Sequence, residues 1–538
     1  MCGILGIFKK EDLQVELAQE LSKRMRHRGP DMQDYQVSED GKSIITHERL
    51  AIIDLVTGKQ PIQGTDNAYV VHNGEIYNHQ ELRDTILSDF TFRTTCDSEV
   101  IVKLYEKYGT DFCNLLDGVF GFIVMQDDKF MVARDPIGVK PLYYGTDKTG
   151  TYYFSSELKA IETECDNVKA FPPGHFFTEE TGFVKYFQPK WEQLELCQEA
   201  YDSKKLRDSL IQATQKRLMS DVPIGVLLSG GLDSSLISSI TARLMKESGQ
   251  KLLSFSIGMD ETAPDIIAAK EVAEFIGTEH HGIHFSFEEG LAIIKKLVWH
   301  LETYDITSIR ASTPMYIMSK YIRDLGIKVV LSGEGSDEIF GGYLYFHNAP
   351  SDEEFQQETI RRVQLLSTAD CLRADKSTMA WALEARVPFL DKDFLETAMK
   401  IEASEKRPDR ANGKMEKHIL RKAFDDKENP WLPEHILWRQ KEQFSDGVGY
   451  SWIDQLIDHC ANEISDEEFA KAESLYPINT PTTKEAFYMR KIFHEHFPSD
   501  AAAETVKKWI PKWQENTDPS GRASKIHEQT TESADLTV

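Results

Sequence analysis

The chain has 538 residues, 41% hydrophobic and 28% charged, which suits a packed protein with more than one compact core. Its net charge of −26, from 62 basic and 88 acidic residues, excludes a nucleic-acid surface and disfavours an anionic membrane as partner. Seven scattered cysteines without a C-x-x-C pair argue against a disulfide framework or structural zinc, and no apolar run reaches the roughly 18 residues of a membrane span.

The apolar start, Met1 to Phe8, is followed by Lys9 and Lys10, the reverse of a secretory signal, so a reducing, cytoplasmic setting is expected. Strands are predicted at Cys2–Phe8, Ser43–His47, Tyr69–His72, Phe120–Met125, Phe130–Ala133 and Tyr152–Ser155. Helical spacing at Ile76–Leu87 and Ser98–Tyr108 places helices beside them, giving an α+β unit. A polar stretch with Pro189, Phe187–Glu199, reads as a linker. The rhythm then alternates: helix Ser203–Met219, strand Gly225–Leu228, strand Leu252–Ile257, helix Asp265–Ile276, strand His281–Phe285, helix Glu288–Leu301 and strand Lys328–Leu331. Such βαβ units build a parallel sheet with its ligand at the carboxyl ends of the strands. Beyond about residue 352 the pattern is mainly helical, and the acidic stretch 515–538 is expected to be disordered.

Cys2 sits directly after the initiator position. Removal of Met1 would join a thiol and an α-amine of pKa near 8 in one residue, giving the nucleophile its own base. A buried structural cysteine is the plainer alternative. Arg49, at the edge of the apolar segment Leu50-Ala51-Ile52-Ile53, suits a carboxylate. In Asn73-Gly74-Glu75 an amide and a close-approach N–H are fit for an oxyanion, although Asn-Gly is also a hairpin turn. Asp97, in Thr95-Cys96-Asp97-Ser98-Glu99, opens a helix and reads as its N-cap.

The segment Leu228-Ser229-Gly230-Gly231-Leu232-Asp233-Ser234 lies between a strand and a helix, where glycine N–H groups can reach phosphate oxygens. It does not fit the P-loop pattern. Asp233 among phosphates calls for a cation, with magnesium the natural one. A second loop, Ser332-Gly333-Glu334-Gly335-Ser336-Asp337-Glu338, gathers carboxylates that repel one another without a metal or cationic ligand, or else simply caps a helix.

The motifs Cys2-Gly3-Ile4, Arg26-His27-Arg28-Gly29-Pro30-Asp31, His47-Glu48-Arg49-Leu50, Asn73-Gly74-Glu75 and Asp97-Ser98-Glu99 resemble the N-terminal-nucleophile glutamine amidotransferases. Ser229–Ser235 resembles the ATP pyrophosphatases, and the two together resemble the glutamine-hydrolysing asparagine synthetases over Cys2 to about Ile510. The resemblance implies an αββα sandwich (2–187), then an α/β parallel-sheet ATP-pyrophosphatase domain with a helical end (200–514). It implies attack by Cys2, an oxyanion held by Asn73 and Gly74, and glutamine gripped by Arg49, Leu50–Ile53, Glu75 and Asp97. It further implies ATP on Leu228, Ser229, Gly230, Gly231, Asp233, Ser234, Ile257, Ser332 and Gly333, and Mg²⁺ on Asp233 and Asp337. Glu334 and Lys441 would be catalytic, and Thr307 and Arg310 would contact aspartate. The expected partners are small molecules, with a homodimer left open. A related amidotransferase or β-lactam-synthetase-like enzyme with another carboxylate acceptor is the alternative. Ammonia is expected to pass between the domains in shelter from water.

Overall fold

The structure, a computed structural model, describes residues 2–65, 67–247, 249–440 and 447–514. The predicted tail 515–538 and Lys441 lie outside these residues.

The first part of the chain forms β1 (Gly3–Phe8), α1 (Val15–Lys23), β2 (Met32–Val37), β3 (Ile44–Arg49), β4 (Ile62–Gln63), β5 (Ala68–Ile76), α2 (His79–Asp84), α3 (Glu99–Tyr108), β6 (Gly118–Gln126), β7 (Lys129–Arg134), β8 (Tyr143–Thr146), β9 (Tyr152–Ser155), β10 (Asn167–Ala170), β11 (His175–Thr178) and β12 (Gly182–Lys185). Two antiparallel sheets result, with orders β10-β8-β9-β1-β3-β2 and β12-β11-β7-β6-β5-β4. Strand alternation explains their facing: Ile4, Phe8 and Ile45 of one sheet share a core with Val71, Ile123, Met125 and Val132 of the other. Helix α1 packs outside the first sheet and α3 outside the second, so the layers are α, β, β, α.

The strands that sequence patterning misses are β2, β4, β8, β10, β11 and β12. Four of them, β2, β4, β10 and β12, are sheet edges, where one side faces water and the apolar alternation is lost. Ile76 ends β5 instead of starting a helix, and α2 begins at His79. The expected linker holds two short 3₁₀ turns and is pinned by Trp191, which is buried.

The second part continues with α4 (Ser203–Lys216), β13 (Ile224–Leu227), α5 (Leu232–Glu247), β14 (Leu253–Gly258), α6 (Pro264–Ile276), β15 (Glu279–His284), α7 (Phe287–Leu301), α8 (Ile306–Asp324), β16 (Val329–Leu331), α9 (Ser336–Phe340), α10 (Asp352–Leu365), α11 (Asp370–Met379) and β17 (Glu384–Arg386), followed by further helices, among them Tyr450–Glu463 and Lys484–His496. All pairings in its sheet, β15-β14-β13-β16-β17, are parallel, as the alternation predicts. β17 falls in a stretch read as helical, because three residues are too few to show a period. Strands β13 and β16 are adjacent at the centre, so their two trailing loops meet above the sheet. A continuous apolar cluster joins the two parts: Leu50, Ile52 and Val119 pack with Leu232, Leu331, Met379 and Val387. No helix among the described residues is long and apolar enough to cross a membrane.

Candidate active site

Cys2 is placed by strand pairing. β1 starts where antiparallel β3 ends, with Gly3 opposite Glu48, so Cys2 meets the residues that follow Arg49. The Leu50 N–H points at the Cys2 sulfur at 3.5 Å, and the Leu50 carbonyl lies 3.9 Å from it. The Cys2 nitrogen donates to Asn73 Oδ1 at 2.9 Å, linking the first sheet to β5 of the second. That bond turns the Asn73 amide so that its Nδ2 is left for other acceptors, its own contact to Ser156 Oγ being long at 3.4 Å. Burial pushes the Cys2 thiol up.

Asn73 and Gly74 lie inside β5, opposite Gly121 and Phe120, so the hairpin reading of this dipeptide is corrected. Gly74 has φ +151°, and a Cβ there would stand 2.0 Å from the Val119 carbonyl oxygen. Only glycine allows β5 and β6 to approach this closely. Asp97 is not the helix cap. The N-cap of α3 is Ser98, while Asp97 Oδ2 accepts from the Ile76 N–H at 2.8 Å. Arg49 donates to the Asp54 carbonyl at 2.7 Å, which curls the segment Leu50–Asp54 around its guanidinium. That segment is also tied to the second part: the Asp221 N–H donates to Ile52 O at 3.1 Å, and Lys328 reaches Ala51 O at 3.3 Å. Glu75 is buried beside Glu384, which raises its pKa, and Arg386 answers both, at 3.2 Å from Glu75 and 2.6 Å from Glu384.

A cleft of about 1210 Å³, open mouth included, lies over β13 and β16. Of the residues expected at nucleotide and aspartate, it is lined by Leu228, Ser229, Gly231, Asp233, Ser234, Ile257, Thr307, Ser332, Gly333, Glu334 and Asp337. Gly230 does not line it; φ +74° and a Cβ that would meet Ala268 at 2.4 Å make it a packing glycine at the turn into α5. Gly333 presses the second loop onto the first, since a Cβ there would be 2.7 Å from the Ser234 nitrogen. Ser229 and Ser234 share a hydroxyl contact of 3.0 Å at the N-terminus of α5.

Asp233 and Asp337 converge on one buried ammonium: Lys417 Nζ is 2.5 Å from Asp233 Oδ2 and 2.6 Å from Asp337 Oδ1. Room for that pair comes from Gly342, whose Cβ would stand 2.1 Å from the Lys417 chain. Asp233 Oδ1 is buried without a hydrogen bond. The pair fits Mg²⁺, which takes one or two carboxylates and completes its shell with substrate phosphates and water. Among the described residues no cluster of three or more His, Cys, Asp or Glu forms a self-sufficient metal cage.

The expected aspartate contact at Arg310 is corrected. Its guanidinium makes a buried two-pronged pair with Glu485, at 2.9 and 2.6 Å, and does not line the cleft. Thr307, on the same helix α8, does line it, and its hydroxyl has no hydrogen-bond partner. Sequence reasoning assigned no role to Lys417, Arg373, Asp370, Tyr343 or Arg439, all of which line the cleft. Arg373 stands 2.6 Å from Glu334 and 3.0 Å from Asp370. Burial and the neighbouring Asp370 and Asp337 raise the Glu338 carboxyl, which accepts from Tyr343 at 2.5 Å.

A glutamine amidotransferase domain model matches residues 1–197, and an asparagine synthase model matches 205–354 and 348–517. Asparagine synthetase (glutamine-hydrolyzing) 1 of Arabidopsis thaliana is 50% identical over 550 residues, covering 97% of this chain and 94% of the relative. The corresponding synthetase of Asparagus officinalis is 49% identical, covering 97% and 92%. A solved structure titled as the allosteric regulatory enzyme of purine biosynthesis aligns over 53% of this chain and 90% of its own, at 14% identity and a TM-score of 0.32. With near-complete coverage at half identity, and both halves matched in order, the chain belongs to the glutamine-hydrolysing asparagine synthetase family.

Proposed function

We propose that this chain makes L-asparagine from L-aspartate, using nitrogen from glutamine and energy from ATP, with residues 2–187 as the glutaminase and 200–514 as the synthetase. One observation carries the reading: Cys2 is set between Leu50 and Asn73, and Leu50 shares an apolar core with Leu228 and Leu232, which line a nucleotide-type cleft in the same chain.

In the first half-reaction the Cys2 thiolate attacks the carboxamide carbon of glutamine. The α-amine freed by loss of Met1 takes the thiol proton and passes it to the carboxamide nitrogen, so that the C–N bond breaks and ammonia leaves, and water then hydrolyses the thioester to glutamate and the free thiol. The Asn73 amide and the Gly74 N–H hold the developing oxyanion. Arg49 takes the substrate carboxylate and Asp97 its ammonium, with Leu50–Ile53 and Glu75 completing the pocket. In the second, a β-carboxylate oxygen of aspartate attacks the α-phosphorus of ATP, and pyrophosphate departs. Ammonia then attacks the acyl carbon, and AMP leaves with its bonding electrons. Ser229, Gly231 and Ser234 cradle the phosphates at the start of α5, and Leu228, Ile257, Ser332 and Gly333 hold the nucleotide. Glu334 supports formation of the adenylate and attack on it; Lys441 is assigned to the phosphate charge. Asp233 and Asp337 would hold Mg²⁺, which supplies positive charge to the pyrophosphate when bound. The apolar cluster between the halves supports a passage in which ammonia stays unprotonated.

Aspartate-dependent release of pyrophosphate tests the reading. AMP must form in equal amount, and formation of ADP and phosphate in its place would overturn it.

A further inference from the structure

One helix touches both centres. On α11, Arg373 pairs with Glu334 at 2.6 Å in the nucleotide cleft. Asp375 is two residues on, about 200° around the helix, and faces the other way. There its Oδ2 lies 2.8 Å from Arg28 Nη1. The Arg28 side chain is fully buried, also meets Glu157 at 3.0 Å, and donates from Nε to the carbonyl oxygen of Cys2 at 3.0 Å. The next residue, Lys376, pairs with Glu302 and donates to the Tyr143 hydroxyl at 2.9 Å, which also fastens this helix to the first part of the chain. A path therefore runs from Glu334 through Arg373, about half a turn of the α11 backbone, Asp375 and Arg28 to the backbone of the nucleophile.

We propose that Asp375 is a positioning residue for Cys2: it holds Arg28 against the Cys2 carbonyl, and through α11 it ties that placement to the occupancy of the nucleotide cleft. The proposal rests on the two-site reading above. Arg28 touches no reacting atom in this scheme. It fixes the carbonyl carbon beside the Cys2 Cα, and so fixes where the sulfur and the α-nitrogen stand. Substrate that engages Glu334 and Arg373 biases the helix, and a packed helix moves as a unit. Glutamine hydrolysis is then fastest when ATP and aspartate are bound, so that nitrogen is released when an acceptor is ready.

The test uses full-length Asp375→Asn and Asp375→Glu. Asparagine keeps the shape but loses the charge that holds Arg28. The expected result is a fall of about 10- to 100-fold in kcat for glutamine hydrolysis, in line with the cost of about 1 Å of misplacement, while KM for glutamine stays within about twofold. Stimulation of hydrolysis by ATP plus aspartate is expected in the unaltered chain, lost in Asp375→Asn and restored in Asp375→Glu; an unaltered chain without it overturns the tie to the nucleotide cleft. Synthesis from added ammonia falls far less than synthesis from glutamine. An Asp375→Asn chain with kcat within twofold and stimulation intact overturns the proposal. Parallel loss of both activities without rescue by glutamate also overturns it, marking the residue as structural. An unaltered chain that releases no glutamate from glutamine would instead defeat the underlying two-site reading.

Discussion

Gly74→Ala isolates the glutamine centre. The new Cβ would sit 2.0 Å from the Val119 carbonyl oxygen and 2.7 Å from the Phe120 Cα, both backbone atoms of the paired strand β6. Because non-bonded Cβ contacts below about 3 Å do not persist, β5 and β6 must separate by about 1 Å at the residue beside Asn73. A displacement of that size at a reacting centre costs about 100-fold, or about 2.7 kcal/mol of transition-state stabilisation. Glutamine-dependent and ammonia-dependent asparagine formation, measured on one preparation, separate the two halves of the reaction. The glutamine branch should fall about 100-fold in kcat/KM while the ammonia branch holds. A glutamine branch within threefold of the unaltered chain would refute the claim that the β5–β6 approach shapes the oxyanion site.

Cys2→Ala should abolish glutamine-dependent synthesis and leave ammonia-dependent synthesis, as read by product chromatography; loss of both in a folded variant contradicts separate sites. Lys417→Met removes the ammonium between Asp233 and Asp337, leaving two carboxylates no more than about 5 Å apart that repel by about 3 kcal/mol at an effective dielectric near 20. Its melting temperature should drop and be partly restored by MgCl₂, and a melt insensitive to Mg²⁺ argues against a cation between these groups. Burial holds His47 and His72 neutral, lowering their pKa values to about 3 and about 4 from 6.5. Below pH 6.5 the unfolded chain takes up protons that the folded one does not, so their contribution is complete above pH 6.5 and is lost as pH falls toward 4, at about 1.4 kcal/mol per pH unit for each. His72→Gln should flatten the acid limb of a urea-midpoint titration; an unchanged slope contradicts this.

Much of the second part was legible because buried parallel strands are short apolar runs and their loops carry glycines, so Ser229–Ser234 and Ser332–Asp337 could be placed before their meeting was seen. The Cys2 centre was legible for a different reason: its residues precede β1, follow β3 or interrupt β5 with polar groups. What was not legible is partnership over long separations. Nothing near Lys417 in sequence signals that it reaches Asp233, 184 residues away. Arg310 beside Thr307 looked like a substrate ligand because the sequence does not show that Glu485 would take it. Gly74 illustrates a third limit: its need for glycine comes from a neighbouring strand, not from the turn its dipeptide suggests.

The most direct measurement follows nitrogen and phosphorus together. With amide-¹⁵N glutamine, unlabelled ammonium in the medium, aspartate and ATP, the account predicts asparagine carrying the label, with glutamate and AMP formed one for one. Asparagine that carries the solvent's unlabelled nitrogen, or ADP in place of AMP, would contradict it.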